Sequence, residues 1–146
     1  MHCVVERDVI IGKRCKIGHH VVLKNGTIIG DDVWIADGAM TTGPCSIGHN
    51  CNIRTGAIIS KGTFIECDVF VGPGVITNHT RVVTGPKGDS ENLITLLMNG
   101  AIIGSQASII AGVTIGENVV VGGGSVVTKD LLDEGTYVGN PARKIR

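Results

Sequence analysis

The chain has 146 residues and carries 13 basic and 13 acidic side chains, so it has no formal net charge. That balance argues against a general nucleic-acid or membrane-surface binder, and no stretch approaches the roughly 18 uninterrupted apolar residues of a membrane span. Aromatics make up only 3% while glycines number 22, so residues 1–146 are expected to form one domain of stacked aliphatic side chains joined by tight turns.

From the first residues the pattern is a repeat. Met1 to Asp8 lack the basic start and apolar run of a secretory signal, which makes a cytosolic protein the expectation. An apolar residue then recurs at every sixth position through Val5, Ile11, Ile17, Leu23, Ile29, Ile35, Thr41, Ile47, Ile53, Ile59, Ile65, Val71 and Thr77, interrupted only by the two threonines. Four residues after these positions sit smaller ones, among them Val9, Val21, Thr27, Ala39, Ala57, Thr63 and Val75. Neither the 3.6 period of a helix nor simple strand alternation produces this spacing. It marks a parallel β-helix in which each hexad supplies one short strand and one turn, three hexads closing a coil. Cys3, Cys15, Cys45 and Cys51 occupy the small inward position, where a thiol acts as a buried hydrophobe. Cys67 lies off it, in a turn, and is expected to be exposed. The odd cysteine count and the lack of ligand spacing argue against disulfides and zinc.

The rhythm stops after Thr77 and resumes at Ile103, Ile109, Ile115, Val121 and Val127. The step from Thr77 to Ile103 is not a multiple of six, so a loop of about residues 79–92 is inserted, rich in turn signals such as Gly85-Pro86. A loop of that length in a compact repeat suggests a lid or a binding wall. Leu93 to Met98 is expected to return as a strand, and irregular turns follow Lys129. Smooth aliphatic faces on so small a prism predict side-by-side association, for which a cyclic trimer is the best fit.

Among the histidines, His19, His49 and His79 are evenly spaced, five hexads apart, and share one turn position. Five hexads move each to a different side of a three-sided coil, so a single chain cannot converge them on a metal; only ligands from neighbouring copies could. No metal is expected. His79 is the candidate base because it opens the inserted loop, where a cleft between copies can form, and imidazole titrates near neutrality. Asn78 beside it could hydrogen-bond an incoming amine or sugar. Glu66 and Asp68 are weaker candidates for orienting a ring. Gly122-Gly123-Gly124 opens no helix and implies no P-loop.

Two stretches, residues 69–79 with the following loop and residues 100–131 with Gly139-Asn140-Pro141-Ala142-Arg143-Lys144-Ile145, resemble the left-handed β-helix acyltransferases of the hexapeptide-repeat superfamily. Within it, the chain is similar to enzymes that use acetyl-CoA to N-acetylate amino groups on nucleotide-linked sugars. The resemblance implies an all-β, left-handed parallel β-helix with one extended loop, and a homotrimer with coenzyme A between subunits. Its amino-sugar acceptor would be a small molecule, with no nucleic-acid or membrane partner. Position by position it implies Ser105 near the thioester, Gly123 pairing with the pantetheine arm through its backbone, Thr128 and Lys129 near the adenosine, and Arg143 and Arg146 near the phosphates. A backbone N–H near Ser105 or in the Ala111-Gly112 turn would steady the oxyanion. The chain departs from the family in having Thr77-Asn78-His79 where Thr-Asn-Asp is common, and Met98-Asn99 where a basic pair is common. An O-acetyltransferase and a non-catalytic solenoid scaffold are the other readings.

Overall fold

Both inward positions of the hexad turn into the core. Leu23, Ile29, Ile35, Ile53, Ile59, Ile103, Ile109 and Ile115 are buried, as are the small residues Val21, Ala39, Ala57, Val75, Ala107 and Val113. Each fully buried Ile or Leu contributes about 1.5–3 kcal/mol relative to exposure, and stacking one above another along a column is what makes the coil close. The computed structural model describes residues 2–81 and 93–146. Among them every regular element is a strand of two or three residues.

The strands form three parallel sheets, the faces of a left-handed prism. The first face stacks Val4–Val5, Val22–Leu23, Met40–Thr41, Ile58–Ile59, Ile76–Thr77, Ser108–Ile109 and Val126–Val127. The second stacks Ile10–Ile11, Thr27–Ile29, Cys45–Ile47, Thr63–Ile65, Thr95–Leu97 and Thr114–Ile115. The third stacks Lys16–Ile17, Trp34–Ile35, Asn52–Ile53, Phe70–Val71, Ile102–Ile103, Val120–Val121 and Thr136–Val138. Paired residues such as Val4 and Val22, or Trp34 and Asn52, stand three hexads apart, which is one coil. Across the interruption the step is longer: Phe64 pairs with Leu96 on the second face and Phe70 with Ile102 on the third. On both faces the excess over one coil equals the length of the 79–92 segment, so the solenoid continues in register across the interruption. Residues 82–92 of that loop lie outside the described residues.

The two threonines in the apolar series have a structural cause. Thr41 and Thr77 are buried inward residues of the first face. Their hydroxyls accept the N–H of Lys24 and of Ser60, each at 2.9 Å, and pair with Thr27 at 2.7 Å and Thr63 at 3.0 Å. The corner between the first and second faces is thus braced from inside by hydroxyl pairs.

The thiols follow the repeat with one correction. Cys45 and Cys51 are buried, and burial pushes both up to about 11. Cys3 and Cys15 are half-buried because they belong to the first coil, where Val5 and Ile11 are also 51% and 38% exposed. Cys67 is half-buried rather than exposed, its N–H held by Asn99 Oδ1 at 2.9 Å. The end of the chain is also more ordered than a run of irregular turns. Tyr137 is buried with its hydroxyl donating to the Asp133 carbonyl at 2.7 Å, and Arg143–Lys144 folds back antiparallel on Thr136–Val138.

Candidate active site

The chain leaves the solenoid at the first-to-second corner, immediately after Ile76–Thr77. Asn78 is clamped onto the next coil there: its backbone N–H donates to the Ile109 carbonyl at 2.8 Å. Its side-chain amide donates to Ser108 Oγ and to the Ile109 carbonyl, both at 3.0 Å. Both amide hydrogens are therefore committed, and what Asn78 offers a substrate is its Oδ1, an acceptor suited to the N–H of an amine.

His79 follows at the same corner. Its imidazole is held below its ordinary value, first by partial burial and then by the positive charge of Lys61, so its neutral form persists to lower pH. Lys61 lies one coil below at the same turn, and Gly43 one coil below that. A Cβ built on Gly43 would sit 3.0 Å from Lys61 Cβ, so the lysine stem passes over the space that a side chain at residue 43 would fill. His79 and Lys61 line a cavity of about 620 Å³ whose other walls include Ile28, Phe64, Leu93 and Ile94. No carboxylate lines it among the described residues.

The other expected residues divide between two edges of the first face. Ser105 and Gly123 stack on one another at the third-to-first corner: Gly124 N–H donates to the Ser105 carbonyl at 2.8 Å, and a Cβ on Gly123 would lie 3.3 Å from that oxygen. Several earlier turns are capped by a side chain of the next coil, as Lys13 N–H is by Asp31 and His19 N–H by Asp37. The N–H groups of Ser105 and Gly123 have no acceptor among the described residues, which leaves two stacked donors along this edge. Arg143 extends the same edge. It pairs with Val138, whose side chain covers Gly122, and Ala142 N–H donates to the Val126 carbonyl at 2.8 Å.

Ala111, Thr128 and Lys129 lie instead on the first-to-second edge, above Asn78 and His79. Ala111 is buried. Gly112 N–H already donates to Thr95 Oγ1 at 3.0 Å, so this half of the Ala111-Gly112 turn does not supply an oxyanion donor, a correction to the sequence expectation. Arg81, which the periodicity did not single out, reaches up this edge and donates to the Thr128 carbonyl at 3.4 Å, adding a cation beside Lys129. Arg146 stands apart from both edges, at the far end of the last strand, where its carbonyl accepts Thr136 N–H at 2.7 Å. Glu66 and Asp68 lie at the second-to-third corner and are used within the repeat: Glu66 Oε2 accepts Asn99 N–H and Asp68 Oδ1 accepts Asn50 Nδ2, each at 2.7 Å. His19, His49 and His79 occupy three different corners, as their spacing requires.

Lys61 and Phe64 were missed because the hexad places both among ordinary outward positions. The signal was available in the three-hexad coil period, which aligns Gly43, Lys61 and His79 in one column.

The repeats match two known sequence families. The bacterial transferase hexapeptide family (six repeats) matches residues 26–61 and 95–129, and the hexapeptide repeat of succinyl-transferase matches residues 8–40. The bifunctional protein GlmU of Alcanivorax borkumensis is 32% identical over 130 residues, covering 88% of this chain and 26% of that protein. A dTDP-3-amino-3,6-dideoxy-alpha-D-galactopyranose 3-N-acetyltransferase of Aneurinibacillus thermoaerophilus is 51% identical over 49 residues, 34% of this chain and 26% of that one. The chain thus spans about a quarter of the length of these relatives. Among solved structures, a galactoside acetyltransferase in complex with coenzyme A superposes with TM-score 0.71 and 29% identity over 83% of this chain and 64% of that one. AntD, an N-acyltransferase from Bacillus cereus in complex with dTDP and coenzyme A, shares the fold with TM-score 0.71 and 24% identity over 93% and 82% of the two chains.

Proposed function

We propose that this chain, which belongs to the hexapeptide-repeat superfamily of transferases, moves an acetyl group from acetyl-CoA to the amino group of a nucleotide-linked amino sugar. The observation that carries the reading is the place of the insertion: an imidazole held below its ordinary value and an amide acceptor stand together where the coil is interrupted, on an edge that continues into Thr128-Lys129. The relatives support acyl transfer, and the 51% identical stretch belongs to an enzyme of a dTDP-linked amino sugar.

His79 takes the proton from the attacking amine as its nitrogen bonds to the thioester carbon, and Asn78 Oδ1 holds a second N–H of that amine. The Ser105 N–H donates to the oxyanion that develops on the carbonyl oxygen. Collapse breaks the carbon–sulfur bond, and the departing thiolate of coenzyme A is protonated. Gly123 lets the pantetheine arm lie close to the backbone because it has no side chain, while Arg143 on that edge, with Thr128, Lys129 and Arg81 on the other, faces the nucleotide and phosphate end.

Ser105 and His79 are on opposite edges of the first face, with the strand Ser108–Ile109 between them, and in this reading a homotrimer brings the two edges together from neighbouring copies. The outward residues of the first face, Val22, Met40, Ile58 and Ile76, make an apolar stripe. Three prisms turning that face toward a common axis set the Ser105 edge of one copy against the His79 edge of the next. No helix of the described residues is long and apolar enough to cross a membrane, and the proposed site is that of a cytosolic enzyme.

The test is calorimetric titration with coenzyme A followed by thiol release against a panel of amino and hydroxy sugars. Turnover of amino sugars with kcat reduced about 10²–10⁴-fold in His79→Ala is expected. A variant within a few-fold of wild type removes His79 from the mechanism. Turnover of hydroxy sugars alone makes the enzyme an O-acetyltransferase, and no coenzyme A binding makes the solenoid a scaffold.

A further inference from the structure

Acyl transfer uses one wall of the cavity beside His79 and leaves the rest unexplained. The cavity, at about 620 Å³, falls within the ~300–1,000 Å³ of small-molecule sites, far more than an amine needs. Its floor is the second face, where Ile28, Phe64 and Ile94 stand 50%, 44% and 61% exposed, a cluster of large apolar side chains in partial contact with water. A single aromatic ring among aliphatic neighbours offers a planar partner a stacking surface that tolerates any base.

The cavity also carries a positive charge. Arg14 and Lys24 are each paired along the coil axis with an acid one coil away, Asp32 at 2.8 Å and Glu6 at 3.1 Å. Lys61 has no such partner among the described residues. Its backbone is fixed by its N–H donating to Thr42 Oγ1 at 3.0 Å, and its stem passes over Gly43, so the turn is shaped to carry it. One coil rise of about 4.8 Å separates its turn from that of His79, the scale of a single pyranose ring.

We propose that this cavity binds the nucleoside diphosphate of the acceptor, with Lys61 on the diphosphate and the Phe64 ring against the nucleobase, so that the linked sugar projects its amine at His79. The assignment rests on the acyl-transfer reading and adds to it the residues that select a nucleotide-linked acceptor over a free amino sugar. Coenzyme A carries a nucleoside diphosphate of its own, so the experiment must separate the two sources.

dTDP, UDP and GDP are titrated calorimetrically into wild type, Lys61→Ala, Lys61→Arg and Phe64→Ala, each with and without saturating coenzyme A. At least one nucleotide binds wild type equally well in both conditions. Lys61→Ala and Phe64→Ala each weaken it at least roughly tenfold, the loss expected for a charge-assisted contact in the first case and for base–aromatic stacking in the second, while coenzyme A affinity stays within twofold and Lys61→Arg retains most of the binding. Both side chains point out of the core, and Phe64→Leu replaces Phe64→Ala if the latter melts early. The proposal is overturned if coenzyme A displaces the nucleotide, if the variants bind as wild type does, or if a protein that binds coenzyme A takes up none of the three. Loss of coenzyme A binding itself would instead sink the acyl-transfer reading.

Discussion

Thr77→Val tests the internal brace of the corner that carries Asn78 and His79. The substitution keeps the shape of the side chain and removes only the hydroxyl, at a residue that is fully buried. Two partners are orphaned: the Ser60 N–H at 2.9 Å and the Thr63 hydroxyl at 3.0 Å. A buried group left without its partner costs about 1–3 kcal/mol, and with two affected the expected loss lies toward the upper end. Thr41→Val is the internal control. It orphans the Lys24 N–H, but Thr27 also donates to the Lys24 carbonyl at 2.7 Å and keeps that partner, so the loss should be smaller. Adding Thr63→Val to Thr77→Val removes one of the two orphans, and the double variant should be more stable than the sum of the singles by about 0.5–3 kcal/mol. Urea denaturation at one fixed protein concentration reads all four, since association contributes to apparent stability. A Thr77→Val protein within about 0.5 kcal/mol of wild type, or strict additivity in the double variant, would refute the argument.

Three further outcomes are expected. Lys61→Ala removes the charge that helps hold His79 low, so the imidazole C2 proton should titrate at higher pH in the variant by NMR, toward 6.5 but still below it because burial remains; an unchanged or lower midpoint would contradict the assignment. Because folded His79 takes up a proton less readily than unfolded, wild type loses a little stability as pH falls from that ordinary value through the folded one, and Lys61→Ala should lessen the loss. Cys45 and Cys51, pushed up to about 11 by burial, should resist a thiol reagent at pH 8 in the native protein and react only on unfolding, leaving Cys3, Cys15 and Cys67 as the sites labelled first. Gly123→Ala places a methyl 3.3 Å from the Ser105 carbonyl, which must give by a few tenths of an ångström, and should raise the KM for acetyl-CoA several-fold with a smaller loss of stability than a closer clash would bring. Gly104→Ala, whose Cβ would lie 2.5 Å from Gly123 N, should lower the urea midpoint instead.

The sequence alone determined the coil, its inward columns and the length of the insert. A period of six can satisfy strand alternation and a turn only in a prism, and burial then follows residue by residue, from Leu23 and Ile59 to Ala107 and Val127. It also determined that His19, His49 and His79 of one chain stand at three different corners and cannot converge on a metal within that chain, since corner identity is arithmetic on the three-hexad coil. Which groups stand beside His79 was decided only in three dimensions. Lys61 precedes it by a full coil and Phe64 by nearly as much, and both look like any outward positions until neighbouring coils are stacked and a cavity opens between them. The same holds for the Gly112 N–H, lost to Thr95, and for Ser105 and Lys129, which a linear motif lists together and the prism sets on opposite edges. Periodicity is a one-dimensional property and specifies which side of a strand faces inward. Side-chain reach, hydrogen-bond competition and the meeting of edges depend on distances between coils, and those exist only after the chain has wound.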